Sequence, residues 1–322
     1  MTQRSDMSLW TGRVDALDGE LGNRWHQVVR AAQGADVPGV ALLGFACDAG
    51  VSRNHGRPGA AGGPRELRRM LGNLAWHGGE SGRLYDDGDV ACDGDELEAA
   101  QSEYANRLAA LLRAGHLAVG LGGGHEIAWA AYQGLALALG SDPRLQRLGI
   151  INFDAHLDLR QPERPGRGTA GTPFLQIAEA RAAAGLEFRY LCVGASRASN
   201  TAALLARGRS LGAGIVFDID VAAAEAERTL HRFVEESSAI YLTFCLDVLS
   251  PAVAPGVSAP AGLGIALHRA MQLLRGVLAS CGHRQAGSKL LLADVAELNP
   301  AHDVDGRTAR TAARIVYEIA GF

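Results

Sequence analysis

The chain has 322 residues, of which 48% are hydrophobic and 20% are charged, and its 31 basic and 35 acidic side chains give a formal charge of −4. This composition is typical of a globular protein that is long enough to bury a substantial core. The near balance of charge argues against a nucleic-acid partner, because such binders concentrate basic side chains on one surface. The longest apolar stretches, such as Ile240 to Leu246, are far below the roughly 18 residues of a membrane-spanning helix, so no membrane segment is expected.

The N-terminal segment and the cysteines both bear on location. Residues 1–22 contain several charged side chains but no apolar core of a secretory signal, which predicts a cytoplasmic protein. The five cysteines are scattered and form no CxxC pair. Such a set favours reduced thiols over a disulfide framework.

Short apolar runs without polar alternation recur along the chain and predict strands that are buried on both faces. These runs are Gly39–Ala46, Leu117–Leu121, Leu148–Phe153, Phe188–Gly194, Ile215–Phe217, Ala239–Leu246 and Leu290–Val295. Amphipathic stretches of helical periodicity are Glu98–Ala114, Glu126–Leu139, Thr201–Leu211, Val221–Glu236, Ala266–Leu278 and Thr308–Ile319. The alternation predicts an α/β fold with a mainly parallel sheet, helices on both sides and a single domain over residues 1–322.

Three long loops are predicted directly after strands, over Asp48–Gly63, Arg160–Gly171 and Ser250–Gly264. In an open parallel sheet, ligands bind beyond the carboxyl ends of the strands. Long loops within a compact domain also usually carry a function. We therefore expect the chemistry of this protein on these loops.

The densest group of ionisable residues follows the predicted strand that ends at Phe153. Asp154, His156 and Asp158 are spaced by two residues, which points all three to one side of an extended chain. At a buried strand end these groups would lose hydration and the carboxylates would repel each other unless a cation neutralised them. The pattern therefore favours a divalent metal site, with a solvated turn held by one salt bridge as the alternative.

Two further strand ends carry residue types that bind metals. His125 follows a triple glycine in Leu121–Glu126, where it either reaches the metal or only belongs to a capped turn. Cys245 and Asp247 share one face by the same two-residue spacing, and the Pro and Gly residues beyond them predict a rigid loop. Together the three segments offer enough ligands for two Mn²⁺-like ions, which can share and activate a hydroxide.

The segments GGGHE, NFDAHLD and CLDVLSPAVAPGVSAP, in this order and at this spacing, resemble the arginase/agmatinase (ureohydrolase) family over most of the chain. Four other segments are most similar to the formimidoylglutamase branch of that family: Gly44–Ala60, Leu157–Arg160, Gly171–Phe174 and Ser196–Thr201. The resemblance implies a three-layer α/β/α, arginase-like fold with two Mn²⁺ ions per chain. It further implies hydrolysis of N-formimidoyl-L-glutamate to L-glutamate and formamide in histidine degradation, by attack of a metal-activated hydroxide on the formimidoyl carbon.

The resemblance also implies roles for individual residues. Metal ligands would be His125, Asp154, His156, Asp158 and Asp247, with Asp154 as a bridging carboxylate. Asp158 would in addition pass a proton to the leaving amine. Glu297 would hold the cationic amidine end of the substrate, although a lone glutamate is more often a surface or helix-capping residue.

Cys245 stands where the family usually has a second bridging aspartate. A metal would lower the pKa of the thiol and bind the thiolate, but sulfur favours softer ions such as Zn²⁺ or Fe²⁺ over manganese. The alternative is that Cys245 only packs, which would leave one metal site weak or empty. At the position of Ala170, formimidoylglutamases tend to carry serine. Together with Cys245, this difference motivates a second hypothesis, in which the chain is a catalytically silent relative that binds metal without turnover.

A small substrate built on glutamate carries carboxylates, which arginine recognises through paired hydrogen bonds. Candidates on the predicted rim are Arg53, Asn54, Arg57, Arg160, Arg197 and Asn200. The alternative for each arginine is a structural or solvated role. An agmatinase or another enzyme for guanidino substrates would instead need carboxylates or an apolar slot for the substrate tail. The resemblance leaves a homo-oligomer open.

Overall fold

The centre of the fold is a sheet of nine strands in which every neighbouring pair is parallel. The structure is a computed structural model that describes residues 5–34, 36–79 and 82–321. The strands are β1 Arg30–Ala31, β2 Val40–Ala46, β3 Leu84–Ala91, β4 Leu117–Gly122, β5 Leu148–Phe153, β6 Arg189–Ala195, β7 Gly214–Phe217, β8 Ala239–Cys245 and β9 Leu290–Ala296. Their order across the sheet is β1-β3-β2-β4-β9-β8-β5-β6-β7.

Helices cover both faces of this sheet. They are α1 Trp25–Val28, α2 Ala49–Arg53, α3 Gly63–Gly72, α4 Leu97–Arg113, α5 Ile127–Leu139, α6 Pro173–Ala183, α7 Ala202–Ser210, α8 Ala224–Glu235, α9 Leu267–Ser280 and α10 Arg307–Ala320. Short 3₁₀ turns lie at Met7–Leu9, Ala16–Gly22, Ala60–Gly62, Pro143–Leu145, Leu246–Val248 and Pro300–His302. The predicted three-layer α/β/α arrangement is confirmed.

The core is divided by the sheet into two apolar layers. Along β2, Val40 and Leu42 belong to the apolar layer that also contains residues of α3, α8, α9 and α10, whereas Leu43 and Phe45 belong to the opposite layer, with residues of α4, α5 and α6. A strand that packs against both layers has no polar face. This explains why the sequences of the central strands are continuous apolar runs.

The ends of the helices follow from local sequence. Thr201 caps α7, where its side-chain oxygen accepts a hydrogen bond from the main-chain N–H of Leu204 at 3.3 Å. The last helix, α10, ends at Gly321 with φ of 69°, a left-handed conformation that glycine adopts without steric cost.

The structure corrects several predictions of secondary structure. Strands β1 and β3 and helices α1, α3 and α6 were not predicted, and the predicted loop over Asp48–Gly63 contains α2 and a 3₁₀ turn. The predicted strand over Ala239–Leu246 ends at Cys245, because the chain turns at Leu246. The other predicted strands and helices begin and end within about three residues of the observed ones, the usual uncertainty of such boundaries.

The predicted loops after β2, β5 and β8 all leave the same carboxyl-terminal edge of the sheet. Among the residues that the structure describes, no helix has the length and hydropathy to cross a membrane. The cytoplasmic location and the single-domain organisation over residues 1–322 stay predictions.

Candidate metal centre and active site

Every predicted metal ligand lies just beyond one of three central strands, or at its last residue. His125 follows β4, Asp154, His156 and Asp158 follow β5, and Cys245 and Asp247 stand at and beyond the end of β8. Because β4, β9, β8 and β5 are consecutive in the sheet, these segments meet at one point of its edge. All of these residues except Asp154 line a cavity of about 250 Å³, and Glu297, which follows β9, also lines it.

A larger hollow of about 780 Å³ opens at the opposite edge, near the amino ends of β2, β4 and β9. The clustered carboxylates, imidazoles and thiol all lie at the smaller cavity, as ligand binding at the carboxyl edge of a parallel sheet predicts. Chemistry, and not size, therefore identifies the candidate site.

The ligand atoms form two overlapping sets. The first half-site consists of His125, Asp154 and Cys245, and the second consists of Asp154, His156 and Asp247, with all ligand atoms of each set within 4.8 Å of one another. Asp154 belongs to both. The predicted role of Asp154 as a bridging ligand stays a prediction, which its membership of both sets supports.

Within each half-site, the imidazole nitrogen and the carboxylate oxygens lie close together around a common centre. Nδ1 of His125 lies 2.9 Å from Oδ2 of Asp154 and 3.0 Å from Oδ2 of Asp158. Nδ1 of His156 lies 3.1 Å from Oδ2 of Asp247 and 3.5 Å from Oδ1 of Asp154. Asp158 therefore adjoins the first half-site and Asp247 belongs to the second.

These donors fit divalent cations. Nδ1 of His125 and Oδ1 of Asp247 are buried and have no hydrogen-bond partner among the described residues. Burial, together with the charge of Asp154, raises the pKa of Asp158 to about 6 and also raises the pKa of Asp247. A cation between the carboxylates would remove the repulsion and satisfy the unpaired atoms.

Cys245 is as buried as its neighbours, with 1% of its surface exposed. Burial and the surrounding Asp154 and Asp247 carboxylates hold the pKa of its thiol well above the usual value. Without a cation the thiol is therefore neutral, and only a bound metal would turn it into a thiolate ligand.

The backbone around the cavity is strained. Five non-glycine residues among those described have positive φ, and three of them line the cavity: His55 at 60°, Asp158 at 46° and Glu297 at 72°. Such conformations cost about 1–3 kcal/mol each and persist where surrounding structure imposes them, commonly at functional sites.

Glu297 is held from behind and faces the cavity with its other oxygen. Its Oε1 accepts a hydrogen bond of 2.8 Å from the main-chain N–H of His125, while Oε2 has no partner among the described residues. Burial raises the pKa of Glu297 to about 7, a rise that the neighbouring Ser258 hydroxyl opposes. The geometry leaves one carboxylate oxygen free for a cationic group in the cavity.

Comparisons with known proteins agree with this arrangement. The sequence profile of the arginase family matches residues 38–321. The formimidoylglutamase of Ralstonia nicotianae is 49% identical over 99% of this chain and 96% of its own length, and that of Chromobacterium violaceum is 46% identical over 98% of each. A crystal structure of Trypanosoma cruzi formiminoglutamase with Mn²⁺₂ superposes with a TM-score of 0.76 at 26% identity, covering 90% of this chain and 94% of the other.

The chain belongs to the arginase family. The resemblance seen in the sequence is thereby confirmed, and so is the arginase-like fold. The similar chains match it along nearly their whole lengths, so the cavity lies within the part that this member shares with its family.

Three of the six predicted substrate-binding residues of this arginase-family member line the cavity: Asn54, Arg57 and Arg160. Arg57 donates to the main-chain oxygens of Pro255 and Val257, at 3.4 and 2.5 Å. No carboxylate among the described residues pairs with Arg57 or Arg160, so both guanidinium groups keep a charge that can meet an anion.

The other three residues lie outside the lining of the cavity. Arg53 pairs with Asp95 and Glu98 at 2.6 Å each. The guanidinium of Arg197 stacks 4.0 Å from the ring centre of Phe217. These partners engage both side chains elsewhere, and their binding of substrate stays a prediction.

Asn200 is buried and acts within the loop after β5. Its side chain accepts from the main-chain N–H of Leu157 at 3.0 Å and donates to the main-chain oxygens of Ala155 and Ser196 at 2.9 and 2.8 Å. It thus supports the segment that carries His156, and its contact with substrate also stays a prediction.

Sequence reasoning gave no role to His55, Ser258 and Glu126. His55 and Ser258 line the cavity. Glu126 is buried behind it and accepts a hydrogen bond of 2.9 Å from the main-chain N–H of Gly50, at the start of α2. The position of Glu126 next to His125 was the one sequence feature that could have pointed to a role for it. The partner of the Glu126 carboxylate, Gly50, is 76 residues away in sequence, so local sequence does not reveal the contact.

Proposed function

We propose that this chain hydrolyses N-formimidoyl-L-glutamate to L-glutamate and formamide. The observation that carries the proposal is the composition of one cavity: two ligand sets that share Asp154, a free oxygen of Glu297, and the unpaired charges of Arg57 and Arg160. A cationic amidine joined to two carboxylates is complementary to this distribution of charge. The similar chains from Ralstonia nicotianae and Chromobacterium violaceum carry the name of this activity.

The cofactor would be a pair of Mn²⁺ ions. His125, Asp154, Asp158 and Cys245 would hold one ion, and Asp154, His156 and Asp247 the other. Bound divalent ions supply an activated water as nucleophile for the formimidoyl carbon. Manganese is supported by the Mn²⁺₂ in the similar Trypanosoma cruzi enzyme, whereas the sulfur of Cys245 favours a softer ion such as Zn²⁺ or Fe²⁺ in the first half-site.

The protein side chains would orient the substrate and move protons. The free oxygen of Glu297 accepts hydrogen bonds from the amidinium nitrogens and fixes the formimidoyl carbon near the half-sites. Asp158 reaches the first half-site from a strained backbone, where its carboxylate would take a proton and pass it to the leaving glutamate amine.

The carboxylates of the substrate would bind at the mouth of the cavity. Arg160 would provide N–H donors there, and Arg57 would add the nitrogens that its hydrogen bonds to Pro255 and Val257 leave free, with Asn54 as a neutral donor beside them. The same arginines would repel the cationic tail of agmatine, which makes a guanidino substrate the less favoured alternative. A silent relative is also disfavoured, because a chain freed from catalysis has no physical need to keep several buried ionisable ligands, which cost stability whenever no cation is bound.

In the cell, this reaction would serve histidine degradation. The five cysteines are free thiols in the structure, which supports a location in the reducing cytoplasm. Assembly into a homo-oligomer stays a prediction.

The test is formamide release from N-formimidoyl-L-glutamate by protein reconstituted anaerobically with Mn²⁺, with bound metal counted in the same sample. Agmatine, arginine and guanidinobutyrate are assayed in parallel. We expect turnover of the formimidoyl substrate alone and two ions per chain. Turnover of a guanidino compound instead would replace the proposed substrate, and metal binding without any turnover would favour the silent relative.

Asp158→Asn is the matched variant for the proton role. We expect it to abolish turnover while the circular dichroism spectrum and the thermal midpoint of the metal-free protein stay close to those of the wild type. Unchanged turnover would remove Asp158 from the mechanism.

A further inference from the structure

A chain of buried polar side chains lies beneath His125, on the side away from the cavity. Nε2 of His125 is 3.0 Å from Oγ1 of Thr243, and Thr243 donates to Oδ1 of Asp294 at 2.6 Å. Tyr241 donates to the other oxygen, Oδ2 of Asp294, at 2.5 Å. Tyr241, Thr243 and Asp294 each have 0% exposure, so solvent does not reach these groups.

The sheet builds this arrangement from three adjacent strands. Thr243 of β8 and Asp294 of β9 are partners in the strand register, and Tyr241 lies two residues earlier on the same face. Gly120 of β4 is the register partner of Asp294 on the other side. A Cβ atom at Gly120 would stand 2.7 Å from Cβ of Asp294, so only glycine leaves room for this carboxylate.

The direction of the hydrogen bonds determines the tautomer of His125. Thr243 has one hydroxyl proton and gives it to Asp294, so its oxygen can only accept from His125. Nε2 therefore carries the proton in the neutral imidazole. Nδ1 is left with its lone pair, and this atom faces Asp154 and Asp158 at 2.9 and 3.0 Å.

We propose that Asp294 and Thr243 are positioning residues that fix His125 in the tautomer whose Nδ1 binds the ion of the first half-site. Histidine ligands in metal sites commonly donate their second N–H to an oxygen, which orients the ring and strengthens the ligand. His156 lies in the second half-site and has no contact with Thr243 or Asp294 among the described hydrogen bonds. The effect is therefore confined to one of the two ions.

This inference rests on the proposed function only in requiring that the half-sites bind Mn²⁺. Its test is titration of metal-free protein with Mn²⁺ alone, by isothermal calorimetry and by the electron paramagnetic resonance signal of free Mn²⁺. Thr243→Val keeps the shape of the side chain and removes the acceptor. Thr243→Ser keeps the hydroxyl, and Tyr241→Phe removes a donor to Asp294 without touching His125.

We expect Thr243→Val to weaken one of the two Mn²⁺ sites by about 10- to 100-fold and to leave the other unchanged. Thr243→Ser should bind both ions within a few-fold of the wild type, and Tyr241→Phe should change affinity less than Thr243→Val. Asp294→Asn preserves size, and its amide can donate to Thr243 and reverse the hydrogen bond. Asp294→Asn should therefore weaken the same Mn²⁺ site as Thr243→Val. It takes the place of Thr243→Val in the test if the valine variant does not fold.

Wild-type affinity for both ions in Thr243→Val and Asp294→Asn would overturn the proposal. Equal loss at both sites would also overturn it, because that result indicates a general disturbance of the sheet. Failure of the proposed substrate is a separate outcome, since the titrations contain no substrate and the wild type can bind two ions without hydrolysing N-formimidoyl-L-glutamate.

Discussion

Cys245 gives the two half-sites different donors, since a thiol takes part in the first and only nitrogen and oxygen take part in the second. Cys245→Asp would replace sulfur by a carboxylate, which manganese prefers. We expect the ratio of Zn²⁺ to Mn²⁺ affinity at the first half-site to fall by at least about tenfold, or about 1.4 kcal/mol. Competition titrations of metal-free protein measure this ratio.

Cys281→Ala is the control for the cysteine prediction, because Cys281 is buried at the end of α9 and belongs to neither half-site. It should leave the affinity ratio unchanged. An unchanged ratio in Cys245→Asp as well would mean that the thiol only packs and does not bind the ion.

Glu297 and Glu126 are neighbouring buried carboxyls whose expected roles differ. Glu297→Gln would keep the size of the side chain but lose the negative charge toward the amidinium, so kcat/KM should fall by about 30- to 150-fold, the equivalent of a charged hydrogen bond of about 2–3 kcal/mol. Burial, aided by the charge of Glu297, raises the pKa of Glu126 to about 8, so this side chain is mostly neutral near pH 7. Steady-state kinetics at pH 7 should therefore show a much smaller effect for Glu126→Gln, and equal effects would contradict the role of Glu297.

At the scale of elements, the short helix α2 carries one wall of the cavity and depends on a glycine. A Cβ atom at Gly50 would stand 2.5 Å from Cδ of Glu126, and the oxygen of Gly50 accepts a hydrogen bond of 3.0 Å from Ala170, which also lines the cavity. Gly50→Ala should therefore displace this wall and raise KM several-fold, while the Mn²⁺ affinity of the half-sites stays unchanged. Substrate kinetics and metal titration of the same preparation test both parts.

Gly276→Ala is the matched control for Gly50→Ala. Gly276 lies within α9, and a Cβ atom there would meet nothing within 4 Å. The substitution should leave KM unchanged and raise the free energy of unfolding by about 0.5–1 kcal/mol, because alanine loses less conformational freedom in a helix. A similar KM in Gly50→Ala and the wild type would contradict the prediction, because it would show that α2 accommodates the added methyl group without moving the cavity wall.

Elements with their own apolar pattern were predictable from sequence, and those that depend on distant partners were not. β3 contains Asp86, Asp87 and Asp89 and looks like a polar loop until Arg68 of α3 is placed against two of these carboxylates. β1 has two residues, too few for any periodicity. The strands that carry the metal ligands were found because both of their faces are buried, which requires continuous apolar sequence.

At the scale of the whole molecule, the candidate metal ligands could be predicted because each lies within a few residues of a strand end, and parallel strands bring such ends together. The sequence could not distinguish the arginines that are free to bind substrate from those that pair with carboxylates of the protein. Arg53 and Arg57 stand in the same segment, yet only Arg53 has carboxylate partners, and these are supplied from Asp95 and Glu98 more than forty residues away. Long side chains reach partners that local sequence does not reveal.

The stability of the molecule depends in part on a buried ion pair, Arg68 with Asp86, that does not line the cavity. Both oxygens of Asp86 accept hydrogen bonds of 2.8 Å from Arg68, and Trp10 donates to Oδ2 at 2.7 Å, so one carboxylate links the N-terminal segment, α3 and β3. Removing the charge of Asp86 leaves the buried Arg68 guanidinium with Asp89 as its remaining carboxylate partner. Asp86→Asn should therefore lower the free energy of unfolding by about 1.5–3 kcal/mol at pH 7, the value of hydrogen bonds to a charged group, as measured by denaturant titration of metal-free protein. Glu225→Gln, which removes an exposed pair with Arg228, is the control and should leave the unfolding midpoint unchanged.

The same ion pair predicts a dependence on pH. Burial opposes ionisation of Asp86, but the Arg68 guanidinium outweighs it and lowers the pKa of this carboxyl below its usual value. In the unfolded chain the pKa is near the ordinary value of about 3.9. A folded-state pKa below the unfolded one means that the unfolded chain takes up the proton first, so the stabilisation is complete above about pH 4 and is lost as the pH falls through the folded-state pKa. The difference in unfolding free energy between the wild type and Asp86→Asn should accordingly be constant from pH 6 to pH 7 and shrink below about pH 4. A constant difference down to pH 2.5 would contradict the assignment of the lowered pKa to this pair.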